Sequence, residues 1–155
     1  MLLCELAFLD FRTASFIVET RPITKELIVK NEIMSCRLNA EELEPFYCDV
    51  NCDKARELIN DYRELKEFHV IDTRSIEMYK MGHLNKAVLL DAFKSNFSEL
   101  LGYLPKDHVY LVYCTAGIRS LKAIKLMKQM GFKYVYHLYE GIEGCDIKLG
   151  DLSIS

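Results

Sequence analysis

Val109-Tyr110-Leu111-Val112-Tyr113-Cys114-Thr115-Ala116-Gly117-Ile118-Arg119-Ser120 reads as three things in succession: a strand, a tight loop and the start of a helix. The first five residues are apolar, β-branched or aromatic without alternation. That pattern belongs to a central parallel strand covered on both faces. Cys114 stands at the carboxyl end of this strand, where open α/β sheets build their sites. Ser120 opens a helix to Met130 that turns Leu121, Ile124 and Met127 inward and stops at Gly131.

The same alternation of elements extends upstream and downstream. Ala55, Leu58, Ile59 and Tyr62 are spaced as one helix face, so the sequence predicts a helix over Cys52–Tyr62, capped by Asn51 or Asp53. Phe68–Asp72 is a short apolar run and reads as a strand. Ser75 caps a short helix that Gly82 ends, and Lys86–Leu90 reads as a second strand. Phe97, Leu100, Leu101 and Leu104 repeat the helical spacing before Pro105 turns the chain, and Tyr134–Leu138 reads as a final strand. Strands alternating with helices imply an α/β fold, a parallel sheet with helices on both faces.

Residues 1–47 do not follow this rhythm. Segments 2–11 and 15–20 read as strands, and 24–38 as either a helix or a strand. We expect an amino-terminal extension, β-rich, over residues 1–47, packing on the domain or pairing with a second copy, and one α/β domain over residues 48–155.

Composition narrows the function. The chain has 155 residues, half of them apolar, with a formal net charge of −3. Such a chain buries a full core. A slightly acidic chain is a poor candidate for general nucleic-acid binding, which rests on clustered Lys and Arg, so no nucleic-acid partner is expected. No apolar run approaches the roughly 20 residues of a membrane-spanning helix, and no basic leader marks a signal peptide, so no membrane partner is expected either. Six cysteines occur: Cys4, Cys36, Cys48, Cys52, Cys114 and Cys145. Without a secretion signal they are expected to be reduced thiols in the cytoplasm. Cys48 and Cys52 lack two further ligands at zinc spacing, so no metal is expected.

The loop after Val109–Tyr113 carries the chemistry. Gly117 lets the backbone bend so that several N–H groups of Thr115, Ala116, Gly117, Ile118 and Ser120 converge, and the helix start adds its unpaired donors. Convergent donors favour a Cys114 thiolate. Arg119 adds a fixed positive charge to hold the loop or an anion. The competing reading is a buried core cysteine.

Cys114-x-x-Gly117-x-Arg119-Ser120 after an apolar strand resembles the active-site loop of rhodanese-like domains. Val70-Ile71-Asp72-Thr73-Arg74 resembles that family's Asp-x-Arg element. Glu77, Tyr79, Gly82-His83-Leu84 and Ala87 resemble the segment that follows it, and Met130–Val135 with Glu140-Gly141-Ile142 resemble its carboxyl-terminal pattern. The likeness spans about Cys48 to Cys145. It departs where the family usually has a tryptophan, here Cys145, and where two glycines are common, here Glu140-Gly141.

The resemblance implies a sulfurtransferase. Cys114 would take a sulfur atom from a small sulfane donor as a persulfide and pass it to a thiol or protein acceptor, with no cofactor and no histidine base. Tyrosine phosphatases resemble the loop too, but they hold one residue more between Cys and Arg, and the shorter loop makes a cradle for a single sulfur. Asp72 and Arg74 are expected to be structural, pairing with loop backbone or with each other, and His69, His83, His108 and His137 to be structural too. Cys145 is read as a small apolar filler, or as a second thiol near Cys114 that accepts its sulfur or forms a protective disulfide with it. The alternative to an enzyme is a non-catalytic binding or thiol-sensing module of the same fold.

Overall fold

The computed structural model describes residues 45–62 and 64–145 and the backbone of 152–153. The segments 2–11, 15–20 and 24–38, for which strands and a helix were expected, lie outside the described residues. So does the packing of residues 1–47.

Five parallel strands form the sheet: β1 (Phe46–Val50), β2 (Phe68–Asp72), β4 (Ala87–Leu89), β5 (Val109–Tyr113) and β6 (Tyr134–Leu138). Their order across the sheet is β1-β6-β5-β2-β4. A two-residue strand β3 (His83–Leu84) pairs antiparallel with β7 (Leu152–Ser153). The helices are α1 (Cys52–Tyr62), α2 (Ile76–Met81), α3 (Phe97–Gly102) and α4 (Ile118–Gln129).

β5 is central, and all five of its residues are fully buried. Alternation sends Leu111 and Tyr113 to one face and Tyr110 and Val112 to the other. Leu111 and Tyr113 pack with Ala55, Leu58, Ile59 and Tyr62 of α1. Tyr110 and Val112 pack with Phe97 and Leu101 of α3 and Ala123, Ile124 and Met127 of α4. The sheet is therefore covered on both faces, as the uninterrupted apolar run requires.

Local chemistry sets the ends of the helices. The Asn51 side chain accepts from the Lys54 N–H at 3.0 Å, which makes it the cap of α1. The Ser75 hydroxyl accepts from Met78 N–H, and the Gly82 N–H closes α2 on the Tyr79 carbonyl. α4 begins at Ile118, two residues before the expected start, and its buried face is Ser120, Ala123, Ile124 and Met127. Leu121, expected inward, is 44% exposed.

β1 was not legible in the sequence. It is an edge strand with Cys48 only half-buried and Asp49 exposed, so its apolar signal is weak. It joins the sheet through β6, with Asp49 opposite His137.

The expectation of reduced cysteines is corrected. Cys52, at the start of α1, is bonded to Cys145, in the turn after β6, across 93 residues of sequence. Cys48 is also disulfide-bonded. Cys145 is thus neither an apolar filler nor a free thiol beside Cys114. Closing so long a loop restricts the unfolded chain and is expected to contribute about 2–4 kcal/mol. Urea unfolding with and without reductant checks this: the midpoint should fall on reduction, and without reductant Cys52→Ala/Cys145→Ala, which keeps the Cys48 bond, should unfold below the oxidised wild type. Equal midpoints for the oxidised and reduced wild type would contradict it. No helix among the described residues is long and apolar enough to cross a membrane.

Candidate active site

β5 ends at Tyr113 and the chain turns at once into the loop 114–117, with α4 beginning at Ile118. The turn depends on two glycines. Gly117 has φ +77°, and a Cβ there would sit 2.0 Å from the Tyr139 carbonyl oxygen. Gly141 has φ +67°, and its Cβ would sit 2.2 Å from the Thr115 carbonyl oxygen. The turn after β6 therefore lies directly on the loop. It is tied there by Ile142 N–H to Cys114 C=O at 2.8 Å and Glu143 N–H to Thr115 C=O at 3.0 Å.

Gly117→Ala combines left-handed strain with an overlap against backbone that cannot swing aside. It is expected to cost about 3 kcal/mol in denaturant unfolding. Gly131→Ala meets nothing within 4 Å at φ +82° and supplies the control. It should cost about 1 kcal/mol, the backbone strain alone. Equal losses in the two variants would show that the close approach of the turn has no energetic role.

Cys114 is 1% exposed. Burial alone would push its thiol up. Against this stand hydrogen bonds from the Ser120 hydroxyl and from the N–H groups of Ser120, Ala116 and Arg119, which together hold it below the ordinary thiol range. So the sulfur is buried, but it faces a ring of donors, which distinguishes it from an inert core cysteine. Ala116 and Ile118 form the exposed lip of the loop. Ile118 and Phe93, 70% and 68% exposed, are large apolar side chains at this rim.

Arg119 does not point at the sulfur. Its Nη2 donates to the Thr115 hydroxyl and lies 3.3 Å from Met78 Sδ. Its guanidinium lies over the Phe93 ring at 5.9 Å. Arg119 braces the loop and places one positive charge at its lip.

Asp72 and Arg74 do pair. Arg74 Nε and Nη2 reach the Asp72 carboxylate at 2.7–3.0 Å, and Nη2 also donates to the Gly82 carbonyl. Tyr113 donates to Asp72 Oδ2 at 2.7 Å and accepts from Leu84 N–H. Burial, then the Asp72 charge, push the Tyr113 phenol far above its usual range, so it stays a donor. This buried cluster fixes the residue immediately before Cys114.

Of the histidines expected to be structural, His83 sits against Tyr79, ring on ring at 3.7 Å, with Nδ1 3.0 Å from the Tyr79 carbonyl. His69 and His108 contact each other at 2.8 Å, and β2 and β5 run from there toward the end that bears Cys114. His137 is different. Its Nε2 lies 3.0 Å from Ser120 Oγ, which is itself 3.4 Å from Cys114 Sγ. Sequence reasoning missed this contact. Strand alternation was the available signal: it puts His137 on the face of Val135, toward α4, where a polar side chain needs a partner.

One trio of metal-ligand types lies close together among the described residues, Cys52, Glu140 and Cys145. Its two sulfurs are bonded to each other, and the Glu140 carboxylate accepts the Cys52 N–H at 3.0 Å.

Comparison with known proteins agrees with this fold. A tRNA uridine(34) hydroxylase of Acinetobacter baumannii is 36% identical over 104 residues, covering 57% of this chain and 32% of that protein. One from Teredinibacter turnerae is 42% identical over 79 residues, covering 47% of this chain and 24% of that protein. The chain thus spans about a third or less of the length of the curated relatives it matches. Among solved structures, a rhodanese-like domain protein from Staphylococcus aureus superposes with TM-score 0.58 at 20% identity, covering 70% of this chain and 98% of that one. A human single-domain sulfurtransferase superposes with TM-score 0.51 at 16% identity, covering 62% of this chain and 92% of that one. These superpositions show the shared fold. The sequence profile of the rhodanese-like domain matches residues 51–147, from the cap of α1 through the loop to the turn that lies on it. With well over half its length matched, this chain belongs to the rhodanese-like domain family.

Proposed function

We propose that the protein is a sulfurtransferase that carries sulfane sulfur on Cys114. The observation that carries the reading is the sulfur itself: buried, yet ringed by the Ser120 hydroxyl and three backbone N–H groups that favour its anion. The Cys114 thiolate attacks the outer sulfur of a sulfane donor such as thiosulfate or a low-molecular-weight persulfide. A new S–S bond forms, the donor's S–S bond breaks, and the remainder leaves with the electron pair. The same donors that held the thiolate hold the persulfide anion. An acceptor thiolate then attacks the outer sulfur and Cys114 leaves as thiolate, a double displacement without cofactor.

Mass spectrometry of the reduced protein after exposure to thiosulfate or glutathione persulfide tests this. One added sulfur, mapped to the Cys114 peptide, is the expected result. Absence of the adduct with every donor, together with a Cys114 alkylation midpoint near an ordinary thiol's about 8.5, would favour the non-catalytic module instead.

The relatives' name favours a second reading, in which this domain serves a tRNA-modifying enzyme. The expectation of no nucleic-acid partner rested on a net charge of −3 alone, and the relatives speak against it. Retention of labelled tRNA by the protein at low salt, lost at high salt, would favour this reading. The cytoplasmic expectation also weakens, because the bridge between Cys52 and Cys145 favours an oxidising setting.

A further inference from the structure

Ser120, His137 and Asp49 form one continuous chain that ends on the reactive sulfur. Ser120 Oγ is 3.4 Å from Cys114 Sγ and 3.0 Å from His137 Nε2. His137 Nδ1 is 2.8 Å from Asp49 Oδ1. Ser120 is fully buried and His137 is 6% exposed, whereas the Asp49 side chain is 72% exposed. The chain therefore runs from a buried thiol to water.

The fold brings these residues together from three elements. Asp49 on β1 is in register with His137 on β6, and His137 is in register with Val112 on β5. Cys114 lies two residues beyond Val112, toward the face that α4 covers with Ser120.

Counting protons shows what the arrangement does. Nδ1 at 2.8 Å from a carboxylate carries a hydrogen. Nε2 faces two oxygens, Ser120 Oγ and the Gly117 carbonyl at 3.1 Å. In the neutral state the Cys114 S–H points to Ser120, the Ser120 O–H points to Nε2 or to the Gly117 carbonyl 3.0 Å away, and either way the bare Nε2 lone pair faces the Gly117 carbonyl. Both of those atoms are then acceptors, so the contact is unfavourable. In the ionised state Nε2–H donates to Ser120 Oγ and the Gly117 carbonyl, and the Ser120 O–H donates to the thiolate. The ionised state satisfies every group without moving a heavy atom, and the imidazolium is paired with Asp49.

We infer that His137, held by Asp49 and reaching Cys114 through the Ser120 hydroxyl, is the positioning residue that takes up the Cys114 proton and holds the sulfur as thiolate. The inference deepens the sulfurtransferase reading and rests on it. In the step, the S–H bond breaks as its proton passes to Ser120 Oγ, and the Ser120 proton passes to Nε2. One thiolate and one imidazolium form, and net charge is unchanged. The other charged groups near Cys114 are Arg119 at the lip and the mutually neutralised Asp72 and Arg74 behind Tyr113. None of them offers a site for the proton.

The test is the rate of Cys114 alkylation by iodoacetamide against pH, in wild type, His137→Gln and Asp49→Asn, with reductant present. Glutamine keeps a donor for the Ser120 and Gly117 oxygens but takes up no proton. A purely structural histidine would be rescued by it. The midpoint is expected about one pH unit higher in His137→Gln, a tenfold loss of thiolate at any pH well below both midpoints, and higher by a smaller amount in Asp49→Asn. In ¹⁵N-histidine NMR of the unmutated protein, alkylating Cys114 should lower the pH at which His137 Nε2 loses its proton, because the anion it faces is gone. That readout stands even if the variant does not fold. Coincident midpoints, or a His137 titration unmoved by alkylation, would overturn the inference. Normal sulfur uptake with coincident midpoints removes the relay and leaves the sulfurtransferase. A shifted midpoint in a protein that takes up no sulfur does the reverse.

Discussion

Cys114→Ser is expected to abolish both sulfur uptake and thiocyanate formation from thiosulfate and cyanide, a loss of roughly a thousandfold or more. Serine fits the same buried volume and presents its oxygen to the same donors, Ser120 and the N–H groups of Ala116, Arg119 and Ser120. The cradle should therefore survive. What disappears is the nucleophile. A thiol held below its ordinary range ionises more readily than a free one, whereas a hydroxyl in the same place stays protonated, and oxygen forms no stable link to sulfane sulfur. Folding serves as the internal control, since the variant's thermal unfolding should track the wild type. A Cys114→Ser protein that still gains one sulfur, or still turns over, would end the proposed function. The pH dependence of the wild type follows from the same lowered thiol. Alkylation and transfer should hold their rates to lower pH than those of an ordinary thiol, and fall as pH drops through the lowered midpoint.

Asp72→Ala is expected to cost about 3–5 kcal/mol of stability, because it leaves a buried guanidinium without its counter-charge. Asp72 is fully buried and Arg74 is 6% exposed, so water cannot replace the lost carboxylate. The carboxylate also accepts from Tyr113, and the Tyr113 hydroxyl in turn holds Leu84 N–H. Removing it releases the end of β5 on which Cys114 sits. The cost therefore includes a looser loop, and the Cys114 alkylation midpoint should rise. Adding Arg74→Met removes the stranded charge, so the double variant should recover part of the lost stability. Denaturant unfolding of the single and double variants measures this. If Arg74→Met in the Asp72→Ala background destabilises further, the pair is held by packing and not by charge.

Local patterns carried most of the fold into view. The spacing of Ala55, Leu58, Ile59 and Tyr62 placed α1, the unbroken run Val109–Tyr113 placed the central strand, and Ser75 and Gly82 bounded α2. Each of these signals acts within a few residues of backbone, where helix period, strand period and cap chemistry operate. The reactive cysteine was legible for the same reason: strand, cysteine, glycine and arginine follow one another in a single short segment. The phase of α4 was read less well: Ser120 and Ala123 join Ile124 and Met127 on the buried face, and Leu121 lies outward.

Sequence by itself determined the α/β class, the order of the helices and of the parallel strands from α1 to β6, and the loop that presents Cys114. Only the tertiary structure decided which distant groups meet there. Asp49 and His137 are 88 residues apart, and Cys52 and Cys145 are 93 apart. β1 itself is revealed only by pairing with β6. Such contacts follow from strand order and register in the assembled sheet, and no local period in the chain encodes which strand becomes the neighbour of which.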